Sequence, residues 1–474
     1  MKTPRTELAL LCATVACTEP VVVGELPAPP TRQPIWRMID YLKPRAHEVN
    51  AEFGRQVAWL DDTLAIAAPL SGDCGLDPTK AGYDLRCRRE GILSLVPIPA
   101  VQDTPYTLRR SSAPGTNAGF GGQMVVTEDA WFVASSAYSY DPDGDGDADE
   151  IHRTGQVEVI PRINGDFGEP IRLLAADPRP GAQLGYAITA TASRLVAIEP
   201  NLACPEGETC PSQIAVHIFE RVGDQWVSEP PFVPDAFGVP FGAPAARPRR
   251  ASVAMDGTQI VVGLPYDDPC SLAGDDPCPY AGSVRILERI DGGWRELHRV
   301  TAEDAADAES GSWFGASLAL TDSRLFVGEV GTGKVWIFDR ATYVAEDYVQ
   351  NQDPNVYFGF AIDAEPGRLL VGAPHERNCE QGIEPVNWDD GCSVAGVGPG
   401  AAFVYELEGT HWVRRLYVKP TTSRPWTEFG YSVGLRGHRI AIGAPGEANL
   451  GQGVGRPGQE GSGGVGAVFV YEWK

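Results

Sequence analysis

An all-β fold built from seven repeated four-stranded units is what this sequence predicts, and three observations predict it. One pattern recurs seven times along the 474 residues. Each copy holds four short runs of β-branched and aromatic residues with period-two alternation, bounded by Gly, Asp and Pro. The composition is rich in turn formers (54 Gly, 40 Pro) yet 43% hydrophobic, so many tight turns coexist with a real core. Four short strands per unit, repeated in series, are the mark of a β-propeller.

Each copy starts with a Phe-Gly-like pair and a short strand. A tight turn follows, then an apolar strand ending near Gly-Ala-Pro. The starts are Phe53-Gly54, Phe120-Gly121, Leu184-Gly185, Arg250-Ala251, Phe314-Gly315, Phe358-Gly359 and Phe429-Gly430. The clearest copies are FGASLALTDSRLFVGEV, FGFAIDAEPGRLLVGAP and FGYSVGLRGHRIAIGAP; the fourth, RASVAMDGTQIVVGLP, has lost the Phe-Gly. A third strand follows in each unit, as at 400–406 and 466–472. A fourth is usually opened by Trp, as at Trp226, Trp294 and Trp412. The last unit ends after its third strand. Residues 34–44 (PIWRMIDYLKP) carry the Trp-start pattern of a fourth strand, so the sequence predicts that they pair onto the last unit and close the ring, removing an open edge.

The repeat resembles the FG-GAP family, which includes the integrin α-chain head and many bacterial surface proteins; the resemblance spans residues 35–474. It implies seven blades, with strands A to D running outward from the axis. It also implies that the face carrying the B–C and D–A connections meets ligand. In the family, the A–B turns carry calcium sites of the form DxDxDGxxD. Here those turns are short (Asp61-Asp62, Glu128-Asp129, Asp322-Ser323), and all seven lack the motif, so the family's metal positions are not carried over.

The formal charge of −24 opposes nucleic acid and anionic lipid and excludes a DNA- or RNA-binding role. At the N-terminus, Lys2 and Arg5 precede the apolar run Leu8–Ala16, too short to span a bilayer. This reads as a signal peptide over 1–17. Small residues before Cys17 resemble a bacterial lipobox, with Thr14 where Leu is usual, which implies lipidation of Cys17 and a surface or outer-membrane lipoprotein. The alternative is a secreted or periplasmic protein cut near the same point. Residues 18–34 are a Pro-rich linker.

Eight further cysteines fall into four local pairs, Cys74/Cys87, Cys204/Cys210, Cys270/Cys278 and Cys379/Cys392, all in B–C loops. Such pairing reads as disulfides in an oxidising compartment, each contributing roughly 2–3 kcal/mol in the chain-entropy account. The spacing does not suit zinc. Blade 2 carries instead Asp141, Asp143, Asp145, Asp147 and Asp149 with Gly146 between them. Alternate carboxylates converge on one hard cation, so one Ca²⁺ is expected there. His152 stands where an EF-hand has its bidentate Glu, so the expected Kd is on the order of 0.1–1 mM.

Three other motifs are set aside. Gly430-Tyr-Ser432-Val-Gly434 matches a hydrolase GxSxG but sits on a repeat strand rather than a strand–turn–helix elbow. Gly328–Lys334 lacks the Ser or Thr of a phosphate loop, and Gly453–Gly458 opens no helix. The seven His residues are scattered, so no catalytic set is visible from spacing. Trp388 and Tyr138, read as exposed loop aromatics, are candidates for ligand contact. The leading expectation is a non-enzymatic extracellular adhesion or binding protein for a glycan or protein ligand. The alternatives are an envelope scaffold lipoprotein and a propeller lyase or hydrolase with its site near the central channel.

Overall fold

The computed structural model describes residues 35–44, 51–71, 91–101, 104–112, 119–139, 153–202, 213–234, 251–267, 280–301, 311–351, 353, 356–385, 393–394, 396–422, 424–449, 453–455 and 464–473. Met1–Ile35 and Trp36–Lys474 form separate units, and of the first only Ile35 is described. Among the described residues there is no α-helix; the second unit is seven antiparallel sheets, one per blade. The chain is a seven-bladed β-propeller, as the repeat predicts.

Burial explains the residue types strand by strand. Each B strand, such as Leu64–Ala68 or Ile260–Leu264, is covered on both sides and reads as an unbroken apolar run. A strands such as Phe314–Leu320 alternate, with one set of side chains packed and the other facing the channel. D strands such as Gly293–Val300 form the exposed outer edge and are mostly polar. The hydrophobic core lies between neighbouring blades rather than on the axis. One cluster packs Leu416 and Val404 of blade 6 against Phe429, Ile442 and Phe469 of blade 7. Another packs Leu42 and Val468 of blade 7 against Phe53, Leu64 and Ile66 of blade 1.

The N-terminal strand closes the ring. Trp36–Lys43 runs antiparallel to Ala467–Trp473, with Trp36 opposite Trp473 and Leu42 opposite Val468. Blade 7 thus gains its fourth strand from the other end of the chain. Tyr41-Leu-Lys43-Pro44 repeats the Tyr417-Val-Lys419-Pro420 of blade 6's outer strand, and both lysines do the same thing. Each is fully buried and ion-paired to a buried Glu just past a B strand, Lys43 to Glu447 and Lys419 to Glu376. Each Glu also accepts the backbone N–H two residues on, from Asn449 and Asn378, at 3.1 Å. Tyr41 donates its hydroxyl to Glu447 at 3.1 Å. Burial pulls the Lys419 ammonium down to about 8, against the attraction of Glu376.

Removing one partner of such a pair leaves an uncompensated buried charge. Lys43→Ala is expected to lower the unfolding free energy by about 3–5 kcal/mol in urea denaturation, and Lys43→Met with Glu447→Gln to recover at least half of that loss. A second prediction concerns Asp40, also on the closing strand. It is buried, and burial pushes its carboxyl up to about 6, even though it accepts the Ala100 N–H at 3.1 Å and lies near Arg439. The native state therefore holds this proton more tightly than the unfolded chain. Its contribution is full below pH 4 and is lost as pH rises through 6. Asp40→Asn should flatten that part of the stability–pH curve and be more stable than wild type at pH 7 by up to about 3 kcal/mol, read from paired denaturation curves at pH 4 and pH 7.

Candidate ligand-binding face

Each Phe-Gly pair is the middle of a four-residue turn. The N–H of the fourth residue donates to the carbonyl of the first: Arg55 to Glu52 (3.0 Å), Gly122 to Gly119 (2.9 Å), Tyr186 to Gln183 (3.2 Å), Ala316 to Trp313 (3.2 Å), Phe360 to Tyr357 (3.1 Å) and Tyr431 to Glu428 (3.0 Å). The third residue is Gly with φ between 83° and 92° in all six, as a type II turn requires. The turn is bonded to two blades at once. Gly54 donates to Ala67 of its own blade (3.0 Å), and Phe53 donates to Val465 of the preceding one (3.2 Å). The Gly carbonyl points back into the preceding blade as well. Ser432 of blade 7 donates to the Gly54 oxygen at 2.8 Å, Ser252 to Gly315 at 2.7 Å and Ser317 to Gly359 at 2.6 Å. Room for that carbonyl is left by the B-strand glycines Gly443, Gly263 and Gly328, where a Cβ would collide with it. Ser432, the GxSxG serine, is thus a buried clasp across the closing seam.

The residue before each of these turn pairs shares one backbone conformation, and in blades 1 and 2 it lines the channel, as Glu52 and Gly119. Glu52, Gln183, Trp313, Tyr357 and Glu428 all adopt positive φ, from 55° to 58°, and blade 2 has Gly119 there. Around them the rings form a continuous arc across blades 4 to 7. Tyr280 meets Tyr266 (5.8 Å between centroids), Tyr266 meets Trp313 (6.5 Å), and Trp313 meets Tyr357 (6.0 Å). Tyr357 stacks on His375 (4.3 Å) and lies parallel to Phe360 (6.4 Å). His375 reaches Trp426 (6.3 Å), and Phe360 reaches Tyr431 (4.8 Å). Arg55 of blade 1 ends the arc, its guanidinium 4.4 Å from the Tyr431 ring centre and 2.9 Å from the Glu52 carboxylate. Burial opposes its charge, but the surrounding Tyr431, Glu52 and Glu428 hold its pKa above the usual value. Every ring of the arc is partly exposed, Trp426 the most, at 50%.

Below the arc is the central channel. Its upper part is a funnel of about 550 Å³ lined by residues of all seven blades, including Arg55, Gln56, Gln123, Tyr186, Ser317 and Tyr431. Its lower part, about 450 Å³, is lined by A-strand residues, among them Val57, Met124, Ile188, Thr189, Val433 and Arg436. Asp363 faces that lower part, pushed up to about 6 by its enclosure, while both its oxygens accept backbone N–H groups, from Leu435 (2.7 Å) and Ala364 (2.9 Å). The Leu435 bond ties the A strand of blade 6 to that of blade 7.

The residues singled out in the sequence fare unequally. Tyr138, expected to be exposed, is buried at 7%; its hydroxyl accepts from Arg172, whose guanidinium also lies 5.1 Å from the ring centre. Its place directly after a B strand packs it into blade 2, so it is corrected from ligand contact to structural support. Cys379 is disulfide-bonded and nearly buried. Its expected partner Cys392 lies outside the described residues, as do Cys17, Cys74, Cys87, Cys204, Cys210, Cys270, Cys278, Trp388 and the acidic loop Asp141, Asp143, Asp145, Asp147, Asp149. Among the described residues, no three His, Cys, Asp or Glu side chains come together as a metal site. Gly328–Lys334 joins two strands, and Gly453-Val454 pairs with Lys43 and Leu42 of the closing strand. The aromatic arc escaped the sequence reading. Its signal was the residue before each Phe-Gly, which a type II turn must present to one face.

No known family profile matches the chain, and no curated protein matches it in sequence. Three solved structures are similar to it over most of their length at very low identity. Selenomethionine-substituted virginiamycin B lyase from Staphylococcus aureus has a TM-score of 0.49 at 8% identity, over 92% of this chain and 99% of that one. The Pan2 WD40 domain of Neurospora crassa has 0.48 at 10%, over 93% and 95%. A streptogramin B lyase has 0.48 at 7%, over 93% and 98%. At this distance the likeness concerns the fold and says nothing of activity.

Proposed function

We propose that this chain is an exported, non-catalytic binding protein of FG-GAP type that engages an extracellular ligand through the face formed by its B–C loops and D–A connections. The observation that carries this reading is the aromatic arc at the channel mouth. Eight partly exposed rings converge there from four blades, and a ninth contact, Arg55, comes from a fifth. Large aromatic side chains held on a rigid frame supply contact area at little cost in conformational entropy. The chemistry set around them fits binding rather than turnover: Ser432 is spent on a blade seam, and Asp363 on two backbone amides. In this proposal, the cysteine pairs and one Ca²⁺ at Asp141–Asp149 staple the surrounding loops, and a lipid on Cys17 anchors the protein at the cell surface.

The test is solid-phase binding of the full chain to an array of extracellular proteins and glycans, with calcium and with EDTA. Saturable binding is expected, weakened at least about tenfold by EDTA. Absence of binding in both conditions would contradict the proposal.

A further inference from the structure

Charge narrows what the arc can hold. Arg55–Glu52 lies at the Tyr431 end of the arc, and Arg377–Asp353 is linked to it through Val356, whose N–H donates to Asp353 and whose carbonyl accepts from the His375 N–H. Each offers several N–H donors and carboxylate acceptors, yet each cancels its own charge. A cationic ligand would meet Arg55 and Arg377. An anionic one would meet Glu52, Glu428 and Asp353 on a chain of net charge −24. What fits is a molecule with apolar faces, many hydroxyls and no charge.

The backbone adds an independent observation. Trp313, Tyr357 and Trp426 are held at φ of 55°, 56° and 65°. Trp313 and Tyr357 share this conformation with Glu52, Gln183 and Glu428 at the same place in the turn, whereas Trp426 lies two residues before it. The equivalent position in blade 2 is filled by Gly119, so the turn itself does not require an aromatic residue. The middle of the arc also lies at the shortest B–C connection of the seven blades. Blade 5 passes from Glu329 to Lys334 directly, whereas blades 4 and 6 run from Leu264 to Ser283 and from Ala373 to Ala401.

We propose that the arc from Tyr266 through Trp313 and Tyr357 to Trp426 binds a neutral polysaccharide. The C–H faces of its sugar rings lie on the aromatic rings, and its hydroxyls bond to the Arg55–Glu52 and Arg377–Asp353 pairs. This rests on the binding-face reading above and commits it to one ligand chemistry.

The experiment passes the full chain over immobilised β-glucan, mannan, xylan and chitin, and in parallel over heparin, polylysine and gelatin. It compares wild type with Trp313→Gly and Trp426→Gly, which suit the positive φ, and with Tyr348→Ala on the outer strand of blade 5. Melting temperatures check folding, and half-exposed Trp426 is the variant least tied to the core. The expected result is retention on a neutral polysaccharide, weakened at least about tenfold by either Trp substitution and unchanged by Tyr348→Ala, with soluble oligosaccharide shifting the tryptophan fluorescence. Retention on neutral matrices that both Trp variants keep would overturn the site. Retention only on heparin, polylysine or gelatin would overturn the glycan assignment and leave the binding face standing. Retention on nothing would remove both.

Discussion

Among the described residues, four blades are tied to the one before them by a backbone carbonyl, that of Gly54, Gly315, Gly359 or Gly430. In each Phe-Gly turn, the Phe ring is buried between two blades, and the Gly oxygen projects into the preceding blade. Three seams receive that oxygen with a serine hydroxyl from an A strand, and the facing B strand offers a glycine where any side chain would collide. A buried carbonyl left without a donor is costly, and a methyl in its path cannot be accommodated without moving the strand. A turn Gly carbonyl, an A-strand Ser and a B-strand Gly are therefore one device read at three places along the chain. The same turns place Trp313, Tyr357, Phe360 and Tyr431, so blade-to-blade attachment and half of the aromatic arc share one local geometry.

Closing the ring requires the seam between blades 7 and 1 to match the others although its strands are distant in sequence. The molecule achieves this by repetition. Ser432 and Gly443 receive the Gly54 carbonyl as Ser317 and Gly328 receive that of Gly359. Lys43 occupies for Glu447 the place that Lys419 occupies for Glu376. On the opposite face, Asp61 and Asp62 of the first A–B turn pair with Arg436 (3.0 Å) and Arg439 (2.6 Å) of the last blade. These exposed pairs add little energy.

Much of the fold was legible because propeller repeats write their geometry locally. The type II turn demands Gly54, Gly121 and Gly430, the doubly covered B strands demand unbroken apolar runs, and the outer strands begin near Trp226, Trp294 and Trp412. The closing strand was visible for the same reason, since Trp36–Lys43 carries an outer-strand pattern with no inner strands beside it. The site was less legible. Tyr138 looks like a loop residue in sequence, but its hydrogen bond with Arg172 folds it inward. Conversely, Trp313 and Tyr357 look like ordinary repeat aromatics. Only the left-handed backbone before each Phe turns them to the surface, and the arc depends on neighbours as far apart as Tyr266 and Trp426, which no short motif records.

The central claim is that the Phe-Gly clasp makes the closing seam as firm as an interior one, so the channel mouth is one rigid platform. Native-state hydrogen exchange tests it directly through the amides of Phe53 and Gly54 at the closing seam and of Phe429 and Gly430 at an interior one. All four are hydrogen-bonded, the two Phe amides to the preceding blade. All four are expected to exchange only through global unfolding, with the same dependence on denaturant. Exchange of Phe53 and Gly54 through a smaller opening, at lower free energy than Phe429 and Gly430, would contradict it.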